Sequence, residues 1–208
     1  FAKMAKEFET LPVAGAYLVD SAGGMTPDLV TQYGSELIDQ TDFRFFGFHG
    51  HNNLGLAVAN CLTLQGLGFN LFDATLQGLG RSSGNTPTEQ LVALFQKIGV
   101  QLDGELNFGK IARLGEQSIR PIIPKAGLGV LDTAAGLFDF HSSHFETLMR
   151  VAVGRRVDPL HLLEKAAETG SSNSVEGLDE LALGLAQAPD EVVWSSLDYY
   201  SSADAPHS

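Results

Sequence analysis

From the start of the chain to about residue 100, short apolar runs alternate with longer amphipathic stretches. That alternation is the pattern of β/α units, in which each parallel strand feeds a helix that returns to start the next strand. Three such units can be read. Residues 13–19 form a buried strand ended by Asp20-Ser21-Ala22-Gly23-Gly24, after which Thr26 caps a helix and Pro27 opens it. Residues 44–49 are the second strand, and the helix expected after it, at about 54–66, carries Leu54, Val58, Leu62 and Leu64 near helical spacing. Residues 70–76 are the third strand, followed by a glycine-rich loop and a helix at about 87–98. Three parallel strands leave an open edge, and something has to cover it.

Beyond residue 100 the strand signal fades. Segments 105–118, 132–152 and 158–169 read as helices, the last opened by Val157-Asp158-Pro159. Residues 170–174 read as a loop, about 176–187 as a further helix and 201–208 as a disordered tail. The expected organisation is β/α units over 1–100, a helical region over 101–190 and a tail over 191–208. A first residue of Phe, in a segment already patterned as a helix running into a strand, implies that the native chain begins elsewhere.

Composition narrows the function classes. With 208 residues and 44% hydrophobic content, the chain can bury a core. A net charge of -12, with only 13 scattered basic residues, argues against nucleic acid as a partner. Cys61 stands alone, so no internal disulfide or Cys-x-x-Cys site exists, and a reducing cytoplasm fits. No apolar run approaches the roughly twenty residues of a membrane span, and the opening residues lack a signal-peptide core, so a soluble protein with no membrane partner is expected.

The sharpest chemical feature is Gly47-Phe48-His49-Gly50-His51-Asn52-Asn53 at a strand-to-helix junction. Residues two apart in a strand project to one side, roughly 6.6 Å apart along the backbone, so His49 and His51 can converge on one ion. Neutral imidazoles suit Mn, Fe, Co or Zn, with a carboxylate and water or substrate completing an open site. The competing reading is a hydrogen-bonded pair of histidines that does no chemistry. A parallel barrel gathers its active residues at the C-terminal ends of its strands, where this pair lies.

Other features are more equivocal. The loop Gly78-Leu79-Gly80-Arg81-Ser82-Ser83-Gly84-Asn85 could present N–H groups to a carboxylate or phosphate, or could be a tight turn needing positive φ. Its glycine spacing does not match a dinucleotide fingerprint. Ser21, at the end of the first strand, could bind a carboxylate or cap a turn. His141 and His144, three apart, would share one helix face and either bind metal or serve packing and surface roles. Phe138, Phe140 and Phe145 beside them read as core.

Taken together, Asp-Ser-Ala-Gly-Gly, then His-Gly-His-Asn-Asn-Leu-Gly-Leu-Ala-Val-Ala-Asn, then Gly-Leu-Gly-Arg-Ser-Ser-Gly-Asn-Thr-Pro resemble, in order and spacing, the pyruvate aldolase and acyltransferase superfamily of metal-dependent TIM barrels. The resemblance makes these segments strands six to eight of a (β/α)8 barrel. It implies an α/β fold comprising the C-terminal part of that barrel and a helical C-terminal domain. Arg120-Pro121, residues 135–144, Val157-Asp158-Pro159 and Leu162-Leu163-Glu164 are similar to the helical domain of the 4-hydroxy-2-oxovalerate aldolases, which contacts an acylating acetaldehyde dehydrogenase. The resemblance implies that His49 and His51 ligate a divalent metal, manganese first, with magnesium, cobalt or zinc as alternatives. It implies substrate contacts from Ser21, Gly84 and Asn85 to a small 2-oxo acid. The third ligand, the base histidine and the arginine of that superfamily belong to an N-terminal half, which would come from another chain or a missing segment.

One departure concerns a tyrosine that the aldolase pattern carries in the stretch matching 136–143. Here Phe138 and Phe140 stand instead, and His141 is the candidate substitute proton donor. The readings kept open are an aldolase, a Claisen-type acyltransferase, and an inactive scaffold that binds a dehydrogenase.

Overall fold

A computed structural model describes residues 2–104, 106–123, 130–170 and 175–186. The tail expected over 191–208, residues 171–174 of the expected loop and the end of the last expected helix lie outside the described residues. The chain divides into two compact units, Phe1–Ile123 and Pro124–Ser208.

The first unit is built on a parallel sheet of β1 (Gly15–Asp20), β2 (Phe45–Gly50) and β3 (Leu71–Phe72), in that order. Helix α1 (Ala2–Glu7) precedes it, α2 (Pro27–Gln40) and α3 (Ala57–Leu67) connect the strands, and α4 (Thr88–Lys97) and α5 (Phe108–Leu114) follow. Register places Leu18, Phe48 and Phe72 side by side across the three strands. Leu18 and Phe48 are buried against Val30, Leu37, Cys61, Leu64, Leu91 and Phe95, and Phe72 packs on that cluster, which the helices supply. Each fully buried large side chain contributes about 1.5–3 kcal/mol, so this one face holds the sheet to its helices.

The opposite face is open. Tyr17, Val19 and Leu71 are 40%, 45% and 38% exposed. The strands are therefore covered on one side among the described residues, which a continuous apolar run does not reveal.

Element ends differ from expectation for local reasons. Val13 and Ala14 fall outside β1, because the paired register with β2 begins at Gly15↔Phe45. The third strand shrinks to two residues: Asp73 N–H still donates to Phe48 O at 3.0 Å, but Thr75 N–H turns away to Thr86 O. Helix α3 starts at Ala57 rather than near Leu54, because Asn52 to Gly55 form a turn, with Gly55 at φ +72°, and Asn52 Oδ1 accepts from Ala57 N–H at 3.3 Å. Its buried face is Ala57, Asn60, Cys61 and Leu64, while Leu62 is exposed.

The second unit is helical: α6 (Val130–Leu137), α7 (Phe145–Arg155), α8 (Pro159–Thr169) and α9 (Val175–Leu183). The single helix expected over 132–152 is broken. Phe140 N–H bonds back to Ala135 O, Asp139 takes φ +52°, and a short 3-10 turn at Ser142–His144 leads into α7. The break seats Phe140 and Phe145, each 2% exposed, as a stacked pair with centroids 5.9 Å apart in a core with Leu131, Leu148, Leu162, Leu163 and Leu178. Helix α8 begins as expected, with Asp158 Oδ1 accepting from Leu160 N–H at 2.8 Å and Pro159 in the first turn. Arg155 pairs with Asp179, tying α7 to α9.

Candidate functional site

Loops leaving the ends of the strands are stitched together by hydrogen bonds around His51. Asp20, at the end of β1 and 3% exposed, accepts from Gly24 N–H at 3.1 Å and Met25 N–H at 3.0 Å, which folds Ser21 to Gly24 into a tight turn. The Asp20 carbonyl accepts from His51 N–H at 3.1 Å, and Gly23 O accepts from Leu54 N–H. From the third loop, Thr86 N–H donates to Gly50 O, Gly84 O accepts from Asn52 N–H at 2.9 Å, and Ser82 Oγ accepts from Asn53 Nδ2 at 2.7 Å. His51, 5% exposed, pairs with Asn85 in an isolated antiparallel bridge.

Two glycines make this closeness possible. Gly23 takes φ +66°, and a Cβ there would fall 2.6 Å from Asn53 N. Gly84 takes φ +85°, and a Cβ there would fall 2.1 Å from Gly78 O. Both positions exclude side chains by conformation and by space.

His49 lies on the open face of the sheet, opposite Val19 in β1. The His49 and His51 rings meet edge to face, with centroids 5.5 Å apart and planes at 74°, so the strand period brings the pair together as the spacing predicts. His49 Nδ1 lies 3.1 Å from Asp73 Oδ2. The same carboxylate acts on Tyr17: burial and then the Asp73 charge push the Tyr17 phenol above its ordinary value. Among the described residues no group of three or more His, Cys, Asp or Glu is arranged to hold a metal ion. The two imidazoles offer two nitrogen donors side by side, with no third such residue placed with them to hold an ion among the described residues.

Ser21 sits half-buried in the turn that Asp20 organises. Gly84 and Asn85 lie beside His51, but their backbone N–H groups are already used, donating to Arg81 O and Gly78 O, as are those of Gly78 and Leu79. The tight-turn reading of this loop is thus the one that its backbone supports. The Asn85 side chain donates to Leu79 O at 3.1 Å, and its Oδ1 is buried with no hydrogen-bond partner.

His141 belongs to the second unit, and the expectation that it shares a helix face with His144 is corrected by the break before α7. Its Nδ1 accepts from Ser143 N–H at 3.2 Å and lies 2.7 Å from Ser143 Oγ, so it caps the 3-10 turn and its ring proton sits on Nε2. Sequence reasoning missed Asp73, Tyr17 and Asp20. Asp73 carried a usable signal, being a carboxylate within the apolar stretch Leu71-Phe72-Asp73-Ala74.

Residues 1–117 match the family model described as HMGL-like. The chain is 32% identical over 186 residues to a 4-hydroxy-2-oxovalerate aldolase of Thermomicrobium roseum, covering 89% of this chain and 51% of that protein. It is 45% identical over 105 residues to the enzyme of the same name from Pelotomaculum thermopropionicum, covering 50% of this chain and 31% of that one. The chain spans about half the length or less of these curated relatives. Among solved structures, the carboxyl transferase domain of Rhizobium etli pyruvate carboxylase superposes with a TM-score of 0.70 at 20% identity, over 92% of this chain and 36% of that one. The HMG-CoA lyase of Brucella melitensis does so with a TM-score of 0.50 at 23% identity, over 55% and 42%.

Proposed function

Because the chain belongs to the HMGL-like family of TIM barrels, we propose that it supplies part of the active site of a metal-dependent pyruvate aldolase. The reaction would cleave a 2-oxo acid of the 4-hydroxy-2-oxovalerate type into pyruvate and an aldehyde. The observation that carries this reading is the pair His49 and His51 at the end of a parallel barrel strand, with ring centroids 5.5 Å apart and loops from both neighbouring strands closed around His51.

The donor set fits a divalent cation in part. Imidazoles on one side of a strand end suit cobalt and zinc, bind manganese more weakly and magnesium least, so the choice of manganese rests on the family resemblance and not on these two donors. His49 and His51 would hold it, and when bound it supplies Lewis acidity to the carbonyl of the 2-oxo acid. Asp20 and the buried loop contacts hold the His51 backbone in place, so this ligand is preorganised. Ser21, in the turn at the end of β1, offers a hydroxyl donor to the substrate carboxylate, and Asn85 Oδ1, buried beside the His51 strand, offers an acceptor to a substrate hydroxyl.

The open face of the sheet and the unpaired edges of β1 and β3 among the described residues favour completion of the barrel by further strands, from the same polypeptide or another. For the helical unit we propose an aldehyde dehydrogenase as partner, a reading that rests on the likeness of the chain to 4-hydroxy-2-oxovalerate aldolases.

The test is product identity. The complete barrel should release pyruvate from 4-hydroxy-2-oxovalerate without any CoA; release of free CoA thiol from an acyl-CoA plus a 2-oxo acid would assign it to the acyltransferases instead. A scaffold reading is favoured by Phe140, which is buried in the core of the second unit and carries no hydroxyl to move a proton. It predicts neither product and intact binding of the dehydrogenase.

A further inference from the structure

We infer that Asp73 is a positioning residue for His49: its carboxylate accepts a hydrogen bond from Nδ1–H, fixing the tautomer in which Nε2 is the nitrogen offered at the strand ends. The inference rests on the reading of His49 as a metal ligand, and the geometry behind it is independent of any metal. An ionised carboxylate can only accept, so at 3.1 Å from Asp73 Oδ2 the His49 Nδ1 must be the donor. That leaves Nε2 as the nitrogen with a free lone pair in the neutral ring.

Three features hold Asp73 in that role. Its backbone is fixed by the sheet, since Asp73 N–H donates to the carbonyl of Phe48, the residue preceding His49. Tyr17, on β1, lies near enough to the same carboxylate for the Asp73 charge to raise its phenol. The Tyr17 ring lies over the intervening β2 residue, Gly47: a Cβ there would fall 2.4 Å from Tyr17 Cζ, so any larger residue would push the ring aside. The order Tyr17, Gly47, Asp73, His49 is thus a single arrangement on the open face.

Neither of two simpler roles accounts for the contact. As an ion pair it is worth little to stability, with the side chains 31% and 50% exposed. As a third metal ligand it finds no support, since no group of three such residues among those described is placed to hold an ion, whereas its oxygen stands at hydrogen-bond distance from His49 Nδ1. A carboxylate that orients a ligand histidine is the role left, and loss of such a partner typically weakens metal binding about 10–100-fold.

The experiment uses the full chain, in whatever assembly it purifies with, labelled with 15N-histidine. Long-range 1H–15N correlation spectra of the metal-free protein, with the His49 signals assigned by loss in His49→Ala, should show the Nδ1–H tautomer. Asp73→Ala should abolish that preference and weaken Mn2+ binding, followed by electron paramagnetic resonance of free Mn2+, about 10–100-fold. Asp73→Asn, which keeps the shape and one acceptor oxygen, serves if the alanine variant fails to fold, and should weaken binding less. A His49 that carries its proton on Nε2 in the wild type, or a tautomer unchanged in both variants, overturns the inference. If the tautomer responds as expected but the wild type binds no Mn2+, the positioning role is upheld and the metal reading of the site fails.

Discussion

Cys61 illustrates how far burial alone sets chemistry at the scale of a residue. It is fully buried, with its sulfur 3.9 Å from Thr86 Oγ1, and desolvation pushes its thiol up to about 12. The unfolded thiol ionises near 8.5, so what its burial contributes to stability is complete below that pH and declines as pH rises from there towards 12. Native protein should therefore leave Cys61 unmodified by a disulfide reagent at pH 8, and guanidinium should release one reactive thiol; rapid labelling of the native protein would contradict its burial. Gly84→Ala should cost at least about 1–3 kcal/mol, because the new Cβ meets a backbone carbonyl at a positive φ, and chemical denaturation would measure it. The His49 and His51 pair was legible in the sequence because strand period is local information. The Asp73 carboxylate stood out in its apolar stretch, but its contact with His49 did not, because that contact joins residues 24 apart and depends on the register that the sheet adopts.

Elements were legible in kind and less so in extent. All three strands and the helices between them stand where the apolar alternation places them, since that pattern reports which side chains can be buried. Their ends are decided by hydrogen-bond partners that the pattern does not contain: Thr86 draws Thr75 away and shortens β3, and the Asn52 side chain delays α3. The break between α6 and α7 carried local signals that an apolar pattern alone passes over: Gly136, Asp139, Ser142 and Ser143 are weak helix formers, and burial of Phe140 holds the chain there. The strand core makes a direct prediction. Phe48→Ala, at a side chain that is fully buried, should cost about 3–5 kcal/mol by denaturant unfolding. Asp158→Ala, removing the side chain that accepts from Leu160 N–H, should cost about 1 kcal/mol by the same measurement.

On the scale of the molecule, the chain is a three-stranded parallel β/α unit and a helical unit, with membership of the HMGL-like family shown over residues 1–117. No helix among the described residues is long and apolar enough to cross a membrane. Motif order made the family legible, because each motif marks the end of a successive strand, where a parallel barrel assembles its chemistry. Around the two imidazoles the structure shows an open sheet face bearing Tyr17, Val19 and His49, and among the described residues no group of three or more His, Cys, Asp or Glu placed to hold a metal. The central claim is that these imidazoles hold the metal of a pyruvate-releasing lyase. It is tested most directly by pyruvate formation from 4-hydroxy-2-oxovalerate in the complete barrel, measured after chelation and again after adding Mn2+, for wild type and for His49→Ala with His51→Ala. The account predicts activity that disappears on chelation, returns with Mn2+ in the wild type and does not return in the double variant; pyruvate release that survives chelation, or persists in the double variant, would contradict it.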